Sequence, residues 1–83
     1  MATQRVAAPL FIRAEWDPDA KVWVCTSDDV PGLATEADTV EELLVKLRVM
    51  VPELLDANGV PDGPDVPFEL MARMVSSGRA LAG

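Results

Sequence analysis

The sequence predicts an α+β fold: a four-stranded mixed sheet with one helix packed on one face, in the chain order β-β-β-α-β. Three observations carry this expectation. Alternation of apolar and polar residues on both sides of Asp17-Pro18-Asp19-Ala20-Lys21 marks a hairpin. The stretch from Asp28 to Glu42 joins a Pro31-Gly32 turn, a short strand and a capped helix start without a break. Alternation then returns at Phe68, beyond a segment rich in proline and glycine.

Taken in order, Leu10 to Asp17 places Leu10, Ile12, Ala14 and Trp16 on one side and Phe11, Arg13 and Glu15 on the other, the period of a half-buried strand. Val22 to Thr26 resumes a β-branched and aromatic run after the tight loop. Pairing Trp16 with Val22 would set Ala14 opposite Val24 and Glu15 opposite Trp23. In that register Ile12, Ala14, Trp16, Val22 and Val24 form the core face, and Phe11, Trp23 and Cys25 lie beside Arg13 and Glu15 on the other face. Pro31 presets φ at the second turn position and Gly32 supplies the positive φ that a type II turn needs next. Leu33 to Ala37 then returns antiparallel as a third strand.

Thr39 and Glu42 have the spacing of a capping box, so the helix starts at about Thr39. Val40, Leu43, Leu44, Leu47, Met50, Val51, Leu54 and Leu55 follow helical spacing and make a wide apolar stripe that must lie on the sheet. Glu42 and Lys46 stand in the favourable i, i+4 order for an ion pair. Pro52 has no amide to donate and crowds the carbonyl of Arg48, so a kink rather than a break is expected there. Asn58-Gly59 reads as a left-handed helix cap, and Pro61, Gly63, Pro64 and Pro67 mark a linker. Phe68 to Val75 alternates as a fourth strand, with a short helix as the alternative. A right-handed crossover places that strand parallel to the first, giving the sheet order 3-2-1-4.

Eighty-three residues, 49% of them apolar, make a single domain, 1–83, with one modest core. Residues 1–8 and 76–83 are expected to be loose tails. A core this small gains from association, so a homodimer is expected. The formal charge of −7 argues against direct nucleic-acid binding. The charge is unevenly placed: Glu15, Asp17, Asp19, Asp28, Asp29, Glu36, Asp38, Glu41 and Glu42 face the single base Lys21 between positions 15 and 42. Such a surface suits a basic protein partner or simply keeps the domain hydrated. Cys25 is the only cysteine and there is no histidine, which excludes a zinc site, an internal disulfide and a histidine-assisted nucleophile. No apolar run reaches membrane length and no signal peptide is evident, so a cytoplasmic location is expected.

The order of Asp29-Val30-Pro31-Gly32, a short strand, and Ala37-Asp38-Thr39-Val40-Glu41-Glu42 after a hairpin resembles the HicB-type antitoxin N-terminal domain and the uncharacterised single-domain families grouped with it. The resemblance covers roughly residues 9 to 59. It implies a partial ribonuclease-H-like fold without catalytic machinery, and for the antitoxins a role in binding and masking a small basic toxin. No basic helix or ribbon follows the sheet domain before Gly83, so the chain is more similar to stand-alone relatives and operator binding is not expected.

Asp17 with Asp19, and Asp28 with Asp29, lie at turns, where aspartate hydrogen-bonds its own backbone. They are read as turn residues rather than Mg²⁺ ligands, and no cofactor or metal is expected. Trp16 is assigned to the core, and Met50, Met71 and Met74 to packing. Trp23 either covers the stem of Arg13 or anchors a partner. Phe11, Trp23, Asp28, Asp29 and Glu36 are the candidate partner-contacting residues. The function expected is that of a non-catalytic, antitoxin-like protein-binding module that engages a small basic protein through its acidic surface. The alternative is a stand-alone homo-oligomeric structural or regulatory domain.

Overall fold

The computed structural model describes residues 9–59 and 66–78. The N-terminal tail (1–8), the linker residues Pro61, Gly63 and Pro64, and positions 79–83 of the C-terminal tail lie outside them, while 76–78 carry no regular secondary structure. The elements are β1 (Leu10–Asp17), β2 (Val22–Thr26), β3 (Ala34–Ala37), α1 (Val40–Ala57) and β4 (Phe68–Arg73). They form one four-stranded sheet of order β3-β2-β1-β4, in which β4 alone runs parallel to its neighbour. The element that begins at Phe68 is therefore a strand, six residues long, and not a helix.

The first hairpin sets which residues meet the helix. Asp17 pairs with Val22, Trp16 with Trp23 and Ala14 with Cys25. This is one residue away from the register that alternation alone suggests. Its cause lies in the loop. The Lys21 amide donates to the Asp17 carbonyl at 2.7 Å, and Lys21 itself takes a left-handed conformation with φ of 59°. The Asp17 carboxylate accepts from the amides of Asp19 (3.0 Å) and Ala20 (3.2 Å) and fixes the bend. A left-handed residue is ordinarily signalled by glycine or asparagine, and here a lysine supplies it. Because side chains alternate, the one-residue difference exchanges the two faces of β2. Cys25 is fully buried and Trp23 packs on the core side, whereas Val24 is exposed. Trp23 and Cys25 are thus not on the helix-free face, and Val22 and Val24 are not in the core.

Trp16 and Trp23 meet edge to face across the hairpin, ring centroids 5.5 Å apart and planes inclined by 63°. Trp16 is half-buried. Ile12, Ala14, Cys25, Val30, Leu33 and Ala37 face Leu43, Leu47, Val51 and Leu55 to make the core. Burying each of these leucines contributes about 1.5–3 kcal/mol against conformational entropy. The helix lies over β3 and β2 rather than over the middle of the sheet. On the β4 side Phe68 and Leu70 are only half-buried and Ala72 is exposed.

The helix ends follow their sequence signals. The Thr39 hydroxyl accepts from the Glu42 amide at 3.1 Å. At the other end Gly59 has φ of 71° and its amide donates to the Asp56 carbonyl. The helix passes through Pro52 without a break. The Pro31-Gly32 bend is closed by the Leu33 amide donating to the Val30 carbonyl, with Gly32 at φ of 83°, as a type II turn requires. Lys46 does not pair with Glu42; its ammonium donates to the main-chain carbonyl of Glu36. No helix among the described residues is long and apolar enough to cross a membrane.

Two outcomes test this packing. Lys21→Gly removes the left-handed strain and is expected to raise stability by about 0.5–1 kcal/mol in urea denaturation, since glycine adopts this conformation freely. Burial raises the Cys25 thiol from 9.0 to about 11, so the unfolded chain loses its proton first. Between those values the unfolded state binds fewer protons than the folded one, and stability falls as pH rises. Denaturation midpoints measured from pH 8 upward should decline, and less steeply in Cys25→Ala.

Candidate functional site

Two surface hollows gather the polar chemistry of the described residues. The larger, about 420 Å³, lies where the edge of β3 meets the first turns of α1. Its lining is apolar at Val22, Ala37 and Val45 and carries Glu36, Asp38 and Glu42 with Lys46 as the one base. Local sequence dictates this arrangement. Glu36 pairs with Val24 and so stands on the helix-free side of β3, Asp38 lies in the short turn, and the capped helix start presents Glu42 one turn later. Carboxylates in the first helical turn also sit favourably at the positive end of the helix dipole.

The smaller hollow, about 150 Å³, is lined by Phe11, Arg13, Thr26, Ser27, Asp28 and Asp29. Here β2 has turned away and side chains take over its role beside β1. The Asp29 carboxylate accepts from the Phe11 amide at 2.7 Å, while the Ser27 hydroxyl donates to the Phe11 carbonyl at 2.6 Å. The same hydroxyl accepts from the amides of Asp29 (3.0 Å) and Val30 (3.3 Å). Both main-chain groups of Phe11 are therefore satisfied by side chains. The Arg13 guanidinium lies 5.8 Å from the centre of the Phe11 ring. The signal for this clasp was the Ser27-Asp28-Asp29 run ahead of Val-Pro, which offers two side chains able to cap backbone groups; Ser27 escaped the sequence reading.

Of the five candidate contact residues, Phe11, Asp28 and Asp29 come together in the smaller hollow. Glu36 belongs to the larger one, and Trp23 lies on the opposite face of the sheet against Trp16. Asp29 is committed to the Phe11 amide, which gives it a structural task whatever else it does. Asp17 is similarly committed to its own loop. Among the described residues no group of three or more acids or thiols converges as metal ligands would. The one ion pair among them joins Arg73 to Glu15 at 3.9 Å, with both side chains largely exposed. Such a pair contributes little to stability.

Comparison with known proteins places this geometry among relatives. The family model described as a domain of unknown function, DUF1902, matches residues 9–81. The crystal structure of the hypothetical protein TTHA1013 from the extremely thermophilic bacterium Thermus thermophilus is 53% identical, with a TM-score of 0.67 over 88% of this chain and 100% of that one. No curated protein matches the chain.

The clasp predicts unequal effects for three neighbouring residues. Ser27→Ala and Asp29→Ala each leave a main-chain group of Phe11 without its partner and should cost about 1–2 kcal/mol in chemical denaturation. Asp28→Ala should change stability by less than about 0.5 kcal/mol, as expected of an exposed surface position.

Proposed function

The chain belongs to the DUF1902 family, and from that premise we propose that it is a non-catalytic protein-binding module whose acidic surface engages a small basic protein in the cytoplasm. The observation that carries the reading is the larger hollow. Its apolar lining, Val22, Ala37 and Val45, can cover the stem of a lysine or arginine side chain, while Glu36, Asp38 and Glu42 beside it attract the charged head. The acids around it are not consumed internally, because Glu15 provides the one ion-paired carboxylate among the described residues. The likeness of the Asp29–Gly32 and Ala37–Glu42 motifs to HicB-type antitoxins supports a toxin-like partner.

A non-catalytic role suits the chemistry of the chain. There is no histidine to act as a base at neutral pH. The single thiol is buried and pushed up to about 11, far from the thiolate that a nucleophile needs. The hydroxyls of Ser27 and Thr39 are occupied by backbone groups.

Capture of the tagged protein from its native cell at low salt, beside a Glu36→Lys, Asp38→Lys variant, tests the proposal. The expected result is one small basic protein at fixed stoichiometry, released by raising the salt and lost with the variant. Recovery of the protein without such a companion, or equal recovery with the variant, would remove the reading and favour a self-assembling domain.

A further inference from the structure

The two edges of the sheet are finished differently. β3 is four residues long, and the ammonium of Lys46 occupies the carbonyl of Glu36 on its outer side. Short strands and lysines blunt an edge in this way. β4 is six residues long, has no proline or lysine within it, and among the described residues no other strand pairs with its outer side. The Leu10 amide donates to the Pro67 carbonyl, so odd-numbered residues of this segment direct their main-chain groups at β1. By the alternation of a strand, Phe68, Leu70 and Ala72 then direct theirs outward.

The sequence Phe68-Glu69-Leu70-Met71-Ala72-Arg73-Met74 has a chemical symmetry about Met71. Reversed, it reads apolar, charged, apolar, Met, apolar, oppositely charged, apolar. We infer that β4 pairs antiparallel with β4 of a second copy of this chain, with Met71 on the two-fold axis. The outward-facing residues then meet one another: Leu70 of each copy exchanges both main-chain hydrogen bonds with Ala72 of the other. Phe68 comes opposite Met74 on the helix side, extending the half-buried apolar surface of Phe68 and Leu70 across the junction. On the helix-free side Glu69 comes opposite Arg73 twice. These are non-hydrogen-bonded positions, where side chains approach most closely.

Charge selects this register over its neighbours. Centring the axis on Leu70 sets Glu69 against Met71 and Arg73 against Pro67, and centring it on Ala72 sets Glu69 against Val75 and Arg73 against Met71. Only the Met71 axis joins unlike charges. The resulting sheet is continuous through both copies, covers the exposed Met71 and Met74 (52% and 50% accessible), and leaves the larger hollow at its far ends. It does not depend on the basic-partner reading.

Two measurements on the full chain decide it. Glu69→Arg alone places arginine against arginine, and Arg73→Glu alone places glutamate against glutamate. Each should weaken dimerisation about tenfold or more in analytical ultracentrifugation, since like charges directly opposite are destabilising and the contact occurs twice. Mixing the two variants juxtaposes unlike charges at both sites and should restore the dimer as a heterodimer. Met71→Cys, with Cα atoms about 4.5 Å apart at such a position, should form an intermolecular disulfide on mild oxidation. Cys25 is buried and does not compete. A wild-type monomer, a dimer indifferent to both charge reversals, a mixture no more associated than its components, or Met71→Cys that stays uncrosslinked would each overturn the inference.

Discussion

Asp17 and Lys21 together hold the first hairpin in a register that the rest of the sheet inherits. The carboxylate fixes two loop amides, the carbonyl takes a third, and the left-handed lysine turns the chain so that Val22 returns opposite Asp17. From that point the side-chain alternation of β2 is settled. Cys25 falls in the buried core with Leu43 and Leu47, and Trp23 falls beside Trp16 on the same face. The register of β3 follows from that of β2, since Trp23 pairs with Ala37 and Val24 with Glu36. The larger hollow lies at the same end of β2 as this loop, with Val22 in its lining beside Glu36 and Ala37.

Local chemistry explains why so much of the architecture was legible. The Pro31-Gly32 turn, the Thr39 cap and the Asn58-Gly59 stop each involve residues within a few positions of one another, and each forms as those residues require. The helical stripe likewise needs nothing beyond its own spacing. The first register was not legible because two neighbouring alignments both bring apolar residues together. Val22 and Val24 fit a core as well as Trp23 and Cys25 do, and a lysine in a left-handed position gives no warning in the sequence.

The site was less legible than the fold for a related reason. The larger hollow depends on a strand edge and a helix start lying side by side, and no short window contains that relation. Ser27 and Lys46 both bond to main-chain groups remote in sequence, at Phe11 and Glu36. Such contacts follow from where backbone groups are left without a strand partner, a property of the assembled sheet. Once the edges are known, both side chains are seen to complete them.

The parallel pairing of β4 with β1 joins nearly the two ends of the described chain, with Leu10 beside Phe68. The other sheet contacts and the helix close through short connections within residues 10–57. Loop-closure entropy therefore favours an order of assembly in which the meander and helix come together before the last strand docks. Phe68 and Leu70 are half-buried and the other side chains of β4 are exposed, so the six-pair main-chain ladder to β1, more than apolar burial, holds this strand in place. The strand that closes the sheet last is thus fastened by main-chain bonds, the kind of attachment that a further strand on its outer side extends rather than replaces.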